Sequence, residues 1–296
     1  KNEQYLASTK GVRMSTQLSC QVGVLPYTML TVVSSTPMLT QLISFATIGL
    51  SSEKVTVEVG ATGGEYKIFI VGLGDTAVQE SKQRVRMAVR NSGFFFPTGK
   101  RITVNLAPAH LRKVGSRYDL AIALGLLIVY GSVSIPEERL RNTAFIGELA
   151  LDGTLRHVSG ILSSAISCRE HGISTIVVPS VNGPEAALVP GLEVIAVENL
   201  LELLDVLTEK KEAPSITAPA AAIEDPLLRK YVDFADVRGQ KHAKRALEIA
   251  AAGGHNVLLC GVPGAGKTLL AKAFRGILPP LTNEESMEVT QIYSVA

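Results

Sequence analysis

Gly261-Val262-Pro263-Gly264-Ala265-Gly266-Lys267-Thr268 carries all the fixed positions of the phosphate-binding pattern G-x-x-x-x-G-K-[ST]. Its flanks have the character that pattern requires. Val257-Leu258-Leu259-Cys260 reads as a buried strand, and Thr268-Leu269-Leu270-Ala271-Lys272-Ala273-Phe274 as a helix whose apolar face lies toward it. The glycines between them let the backbone close around a phosphate chain, with amide groups and the positive helix end directed at it. On this reading Gly261, Val262, Pro263, Gly264, Ala265, Gly266, Lys267 and Thr268 hold a nucleotide. Lys267 reaches the β- and γ-phosphates and the Thr268 hydroxyl ligates Mg²⁺, so the implied cofactors are ATP and Mg²⁺. The alternative is a glycine-rich strand-to-helix turn that binds nothing.

Upstream of the loop, Lys241 to Ala252 has the spacing of a helix and leads through Gly253-Gly254 into the apolar run. A domain therefore opens near Asp233 and occupies 233–296. Before it, 209–232 reads as a linker: Glu209 to Ile223 holds Lys210-Lys211, two prolines and an alanine run.

A larger α/β unit, residues 38–208, precedes the linker. Lys54 to Val59 alternates as a strand, and Ile68-Phe69-Ile70-Val71 reads as a second, buried one. Asp75 is placed to cap a helix running to about Asn91, with Val78, Val85 and Val89 on its core face. Lys82, Arg86 and Arg90 recur at i, i+4, i+8 on that helix, forming either a solvated basic face or a contact for a phosphate backbone. Arg101 to Leu106 is a third strand, and Asp119 to Val129 is apolar enough for a wholly buried helix. Asp152-Gly153 supplies the positive φ of a tight hairpin turn between Phe145–Leu149 and Thr154–Arg156. A helix from about Gly160 to His171, a strand Thr175–Val178, a short helix near Glu185, a strand Glu193–Val197 and a helix to Leu207 complete the unit.

Residues 1–37 differ from all of this. Between Arg13 and Glu53 there is no charged side chain, yet Ser, Thr and Gln interrupt the apolar residues, and Pro26 and Pro37 break any helix. A membrane span needs about 20 predominantly apolar residues in a row, which this stretch lacks. It reads as an unstructured or extraneous segment, with a targeting leader as the alternative.

Composition sets the outer limits. Over 296 residues, 46% are hydrophobic and 19% charged, the mixture of a folded, core-forming chain of about two domains. Cys20, Cys168 and Cys260 are far apart and lack metal-ligand spacing, which suggests reduced, buried thiols and a cytoplasmic location. Net charge is +2, and no segment has a basic excess that would by itself argue for nucleic acid.

Several motifs in one order carry a resemblance. Phe234-Ala235-Asp236-Val237-Arg238-Gly239-Gln240, then Ala246-Leu247-Glu248-Ile249-Ala250-Ala251-Ala252-Gly253-Gly254-His255-Asn256 and the phosphate loop, resemble the start of the AAA+ module of magnesium-chelatase-like ATPases of the YifB/ComM type. Ile70-Val71-Gly72-Leu73, Ala77-Val78-Gln79-Glu80-Ser81, Arg90-Asn91-Ser92-Gly93-Phe94 and Thr103-Val104-Asn105-Leu106-Ala107-Pro108-Ala109 resemble their N-terminal domain. The resemblance implies an α/β fold: a ribosomal-protein-S5-domain-2-like, Lon-protease-like domain followed by the start of a P-loop AAA+ domain. It also implies a hexameric ring, DNA as a candidate partner, no membrane, and ATP-driven DNA branch migration in natural transformation as the activity of the complete form. A magnesium chelatase subunit is a further alternative, as is a truncated fragment that binds nucleotide at most.

Two enzyme functions can be weighed on residues. Alignment with the Lon proteolytic domain puts Asp119 where the nucleophilic serine would stand and Leu162 where its lysine would. No lysine occurs from Arg117 to Thr208, so no peptide substrate is expected. ATP hydrolysis needs an acidic residue on a second strand, sensors and an arginine finger, all of which the family places after this sequence ends. Glu284, Glu285 and Glu288 follow no apolar strand and read as a solvated helix face, so no catalytic residue is assigned in this chain.

Overall fold

The computed structural model describes residues 39–95, 99–214, 216 and 232–295. The unstructured segment expected at 1–37 and most of the linker expected at 209–232 lie outside the described residues.

The chain begins with a hairpin. β1 (Leu39–Ile48) pairs antiparallel with β2 (Ser51–Gly63), in a register that sets Leu42 opposite Val57. β3 (Lys67–Val71) is followed by α1 (Thr76–Asn91), which packs its buried valines, Val78, Val85 and Val89, onto the sheet. Asp75 caps α1 as expected, its carboxylate accepting from the Val78 amide at 2.9 Å. β4 (Lys100–Ala107) then inserts between β3 and β2, parallel to the first and antiparallel to the second.

α2 (Asp119–Val129) is buried along its whole length. It can lie that close to the sheet because Gly125 faces Val59: a Cβ there would sit 2.6 Å from Val59 Cγ2. α3 (Glu137–Arg141) and β5 (Thr143–Phe145) follow, then the short pair β6 (Glu148–Leu149) and β7 (Leu155–Arg156). The connection between β6 and β7 is a five-residue loop. Its turn runs from Ala150 to Gly153, closed by a 3.0 Å hydrogen bond from the Gly153 amide to the Ala150 carbonyl, with Gly153 supplying the positive φ of 91°. α4 (Ile161–Glu170), β8 (Thr175–Pro179), α5 (Gly183–Ala186), β9 (Glu193–Val197) and α6 (Leu200–Leu207) complete the unit.

The seven strands run β3-β4-β2-β1-β5-β8-β9, and most neighbouring pairs are parallel, so the molecule is of the α/β class. Its two halves are covered differently. Around β1, β5 and β8, Leu42, Phe145 and Val177 face α2 and α6, while Ile43, Phe45, Ile176 and Val178 face α4 and α5. Parallel strands are apolar on both sides and need such double cover. β2, β4 and β3 alternate instead: Val57, Val59, Ile102, Val104 and Ile70 enter the core, and the residues between them point away from it.

That alternation corrects the expectation of a buried strand at Ile68–Val71. Only Ile70 is buried; Phe69 is 36% and Val71 51% exposed, because β3 is the edge of the sheet and its outer face carries no helix. β1 is a strand the sequence reading did not separate from its surroundings, and α3 was likewise not expected.

Residues 232–295 contribute α7 (Lys241–Gly253), α8 (Lys267–Phe274) and α9 (Asn283–Val295), with a small core of Val237, Leu247, Leu270 and Ala273. The expected buried strand at Val257–Cys260 is absent. The segment pairs with no described strand, and Val257 and Leu258 are 41% and 85% exposed. A strand exists only through a partner's hydrogen bonds, and none of the described segments supplies them. The cysteine expectation divides on the same ground: Cys168 is buried, and desolvation pushes its thiol up to about 12, whereas Cys260 is exposed.

Filling the space at Gly125 tests the packing of α2. Gly125→Val is expected to lower the unfolding free energy in urea by about 3 kcal/mol through overpacking against Val59. Gly125→Ala is expected to lose about 1 kcal/mol, since better helix propensity offsets part of the clash.

Candidate phosphate-binding loop

The loop between Cys260 and α8 is shaped by glycines. Gly264 (φ 80°) and Gly266 (φ 84°) occupy the left-handed region, where a side chain would be strained, and Gly261 has φ 159°. Gly266 is the residue immediately before α8, and its carbonyl accepts the first intrahelical bond, from Leu270 at 3.0 Å. The amides of Lys267, Thr268 and Leu269 therefore precede the helical ladder and face out at the positive end of the helix.

Lys267 folds back over the loop. Its Nζ donates to the carbonyls of Gly261 (2.8 Å) and Val262 (2.9 Å), and the Ala265 amide closes a turn onto the Val262 carbonyl at 3.3 Å. Gln240 Nε2 donates to the Ala265 carbonyl at 3.4 Å, joining the entry of α7 to the loop. Thr268 is exposed, at the first turn of α8. The sequence-derived residues 261–268 thus run as one glycine-rich turn into the first residues of α8, exposed at Gly261–Gly264 and Thr268 and half-buried at Ala265–Lys267.

These donors, the ammonium, the amides and the Thr268 hydroxyl, fit an anion, and of them only the Thr268 hydroxyl oxygen could ligate a cation. Among the described residues no group of three or more His, Cys, Asp or Glu side chains could ligate a metal. Magnesium at Thr268 would need its remaining ligands from phosphate oxygens and water.

The acidic residues after the loop have other work. Glu285 and Thr282 cap α9 reciprocally: the Glu285 carboxylate accepts from the Thr282 amide (2.8 Å), and Thr282 Oγ1 accepts from the Glu285 amide (3.2 Å). Those bonds hold the Glu285 carboxyl below its ordinary value. Glu284 and Glu288 are exposed, as expected for a solvated face.

The positions aligned with a serine–lysine pair hold a structural ion pair and a core residue. Asp119 is fully buried. It accepts from Arg84 Nε (2.7 Å) and Nη2 (3.2 Å), from the Ser81 hydroxyl and from the Leu149 amide (3.4 Å). Desolvation raises its pKa against the pull of Arg84 and Ser81, while the same bond raises Arg84. Leu162 is fully buried in the core beneath α4.

One set of contacts had no signal in the sequence. α9 lies against α4: the Gly160 amide donates to the Ser294 carbonyl (2.7 Å), Gln291 Nε2 donates to the Leu50 carbonyl and to Ser163 Oγ (3.2 Å), and the Ser294 hydroxyl donates to Glu185. Glu185 also accepts from the Leu162 amide at 2.8 Å, so it joins both helices. Arg117 shapes the same corner. Buried, and with no carboxylate partner among the described residues, it donates to the carbonyls of Phe45 (3.2 Å) and Ser159 and to Thr47 Oγ1 (2.5 Å); burial lowers its pKa. The paired ends are single polar residues 128 and 241 positions apart, which no local periodicity reveals.

Comparison with known proteins is informative in both halves. Residues 57–182 match the family model described as subunit ChlI of Mg-chelatase, and residues 233–296 the model described as magnesium chelatase, subunit ChlI. YifB of Escherichia coli is 42% identical over 250 residues, covering 84% of this chain and 48% of YifB. Competence protein ComM of Haemophilus influenzae is 38% identical over 256 residues, covering 85% of this chain and 49% of ComM. Lon protease 1 of Myxococcus xanthus is 25% identical over 147 residues, 48% of this chain and 18% of that protein. The chain spans about half the length of the YifB and ComM relatives it matches.

Two substitutions probe these contacts. Asp119→Ala, which leaves the Arg84 guanidinium without its buried partner, is expected to lower stability by about 3–5 kcal/mol in chemical denaturation. Gln291→Ala is expected to speed amide exchange in residues 283–295 by roughly fivefold, the equivalent of about 1 kcal/mol of local hydrogen bonding, with little change in α2.

Proposed function

The chain belongs to the magnesium-chelatase-like family of YifB and ComM, and from that premise we propose that it is an ATP-binding protein of the AAA+ class. The loop 261–268 is the nucleotide site in this reading, with Lys267 on the β- and γ-phosphates and Thr268 on the accompanying Mg²⁺. What carries it is the seat of Lys267: an ammonium held only by two loop carbonyls, beside outward amides at the start of α8. An arriving phosphate can take over that ammonium without breaking a buried contact, and the glycines leave it room. When bound, magnesium screens the phosphate charge; the chain's own part is to hold and orient the phosphates.

The proposal extends to architecture. Residues 38–208 form an S5-domain-2-like, Lon-like domain that serves binding or assembly, 209–232 link it onward, and 233–296 belong to an AAA+ module. The 25% identity to a Lon protease supports the first assignment, while the buried Asp119 and Leu162 support a domain without a serine–lysine pair. In the complete form, we take the activity to be ATP-driven DNA branch migration by a cytoplasmic hexameric ring. Support comes from the family and from the name of the Haemophilus relative, a competence protein. No described helix is long and apolar enough to cross a membrane. A second reading, a magnesium chelatase subunit, is favoured only by the descriptions of the two matching family models.

Titration with a fluorescent ATP analogue in the presence of Mg²⁺ tests the site. The chain is expected to bind, and Lys267→Ala to weaken binding at least tenfold while leaving the thermal midpoint within a few degrees. Equal binding by both proteins, or none by either, would sink the assignment. DNA-stimulated ATP hydrolysis by a full-length form tests the motor activity.

A further inference from the structure

The outer face of the sheet at β2, β4 and β3 has no described helix over it. α4 and α5 cover that side of the sheet only as far as β1 and the Ser52 end of β2, where Ser164 and Ser167 hydrogen-bond to Ser52. Beyond them, β4 and β3 present Arg101, Thr103 and Asn105 beside Lys67, Phe69 and Val71, in a register that sets Lys67 against Arg101 and Phe69 against Thr103.

On this face two cations flank one aromatic ring. Lys67 Nζ lies 5.2 Å and the Arg101 guanidinium 5.9 Å from the centroid of the exposed Phe69 ring. Arg86, from α1, lies 5.4 Å over Tyr66, and Lys100 lies 5.7 Å over Tyr130. These last two pairs lie on the helix-covered side of the same edge, where Tyr130 packs against the core and Lys100 shares the face of Ile102. Neither Lys67 nor Arg101 forms a salt bridge among the described residues. The acid at the inner margin of the face, Glu58, is occupied by Gln41 (3.0 Å) and Asn105 (2.8 Å).

We infer that this edge is a binding surface for single-stranded nucleic acid, with Phe69 as the platform for a base and Lys67 and Arg101 along the phosphate track. Uncompensated cations favour a polyanion, which releases counterions on binding. An exposed ring already flanked by cations, on a flat and rigid sheet, favours a polyanion with stackable faces over an acidic peptide. A duplex keeps its bases stacked internally and offers Phe69 nothing. The inference rests on the nucleic-acid part of the proposed function and assigns it a surface remote from the loop 261–268 in sequence.

Fluorescence anisotropy with a labelled 20-nucleotide oligothymidylate, without ATP, tests it. The chain is expected to bind this probe more tightly than a duplex of equal length. Phe69→Ala and Phe69→Leu are each expected to weaken binding about tenfold, in the range of a single base stack, while circular dichroism shows the sheet intact. Lys67→Glu with Arg101→Glu is expected to lower the salt slope by about 1.4, since each phosphate of a single strand that goes unneutralised takes about 0.7 from it. Equal affinity of the face variants and the unaltered chain, no binding at 50 mM salt, or full competition by polyglutamate of the same charge each overturns the assignment. The two readings fail separately: absence of ATP binding removes the motor and leaves this surface, whereas DNA-stimulated hydrolysis that survives Phe69→Ala in a full-length form removes the surface and leaves the motor.

Discussion

A carboxylate sealed in an apolar core is the condition on which the larger unit is built. Asp119 opens α2, the helix with no exposed residue, and ionised it would be prohibitively costly there without donors on every side. Those donors come from three places: Ser81 and Arg84 on α1, and the Leu149 amide on β6. Satisfying one charge therefore fixes the mutual placement of α1, α2 and the β6–β7 hairpin, which apolar packing alone would leave free to slide. Hydrophobic contact supplies most of the attraction, and the ion pair supplies the registration.

The same unit shows how the reach of the helices over a sheet decides what the sheet exposes. Where β1, β5 and β8 run parallel, side chains on both faces are apolar and helices lie on both sides. Where β2 and β4 run antiparallel, alternation leaves one face polar and open. The open face begins where α4 and α5 end, and Lys67 and Arg101 stand on it without an ion-pair partner among the described residues.

What could be read in the sequence follows from how local each signal is. The helix at Asp119–Val129 and the strand at Glu193–Val197 were found with their observed limits, since an unbroken apolar run and its boundaries are local properties. The Asp75 cap was legible for the same reason: its bond to Val78 spans three residues. β1 escaped notice because Thr40, Gln41 and Ser44 interrupt its apolar residues, and only the neighbours β2 and β5 make it central. The burial expected of Ile68–Val71 and of Val257–Cys260 failed because composition records what a segment can bury, and neighbours decide what it does. In the candidate site, the eight loop residues were legible as a motif of fixed spacing. The hold of Lys267 on the Gly261 and Val262 carbonyls, and the link from Gln240, were not, being matters of side-chain conformation.

The seating of α9 on α4 also bears on how the chain comes to be folded. Gln291 meets the Leu50 carbonyl across 241 residues of sequence, and Ser294 meets Glu185 across 109. Closing so long a loop costs more entropy than any contact within the hairpin of β1 and β2, and the surface that receives α9 does not exist until α4 and α5 have packed on the sheet. The helix that follows the phosphate loop thus rests on a surface that only the folded seven-stranded unit supplies. A chain emerging from synthesis N-terminus first meets these requirements in the order in which it can satisfy them.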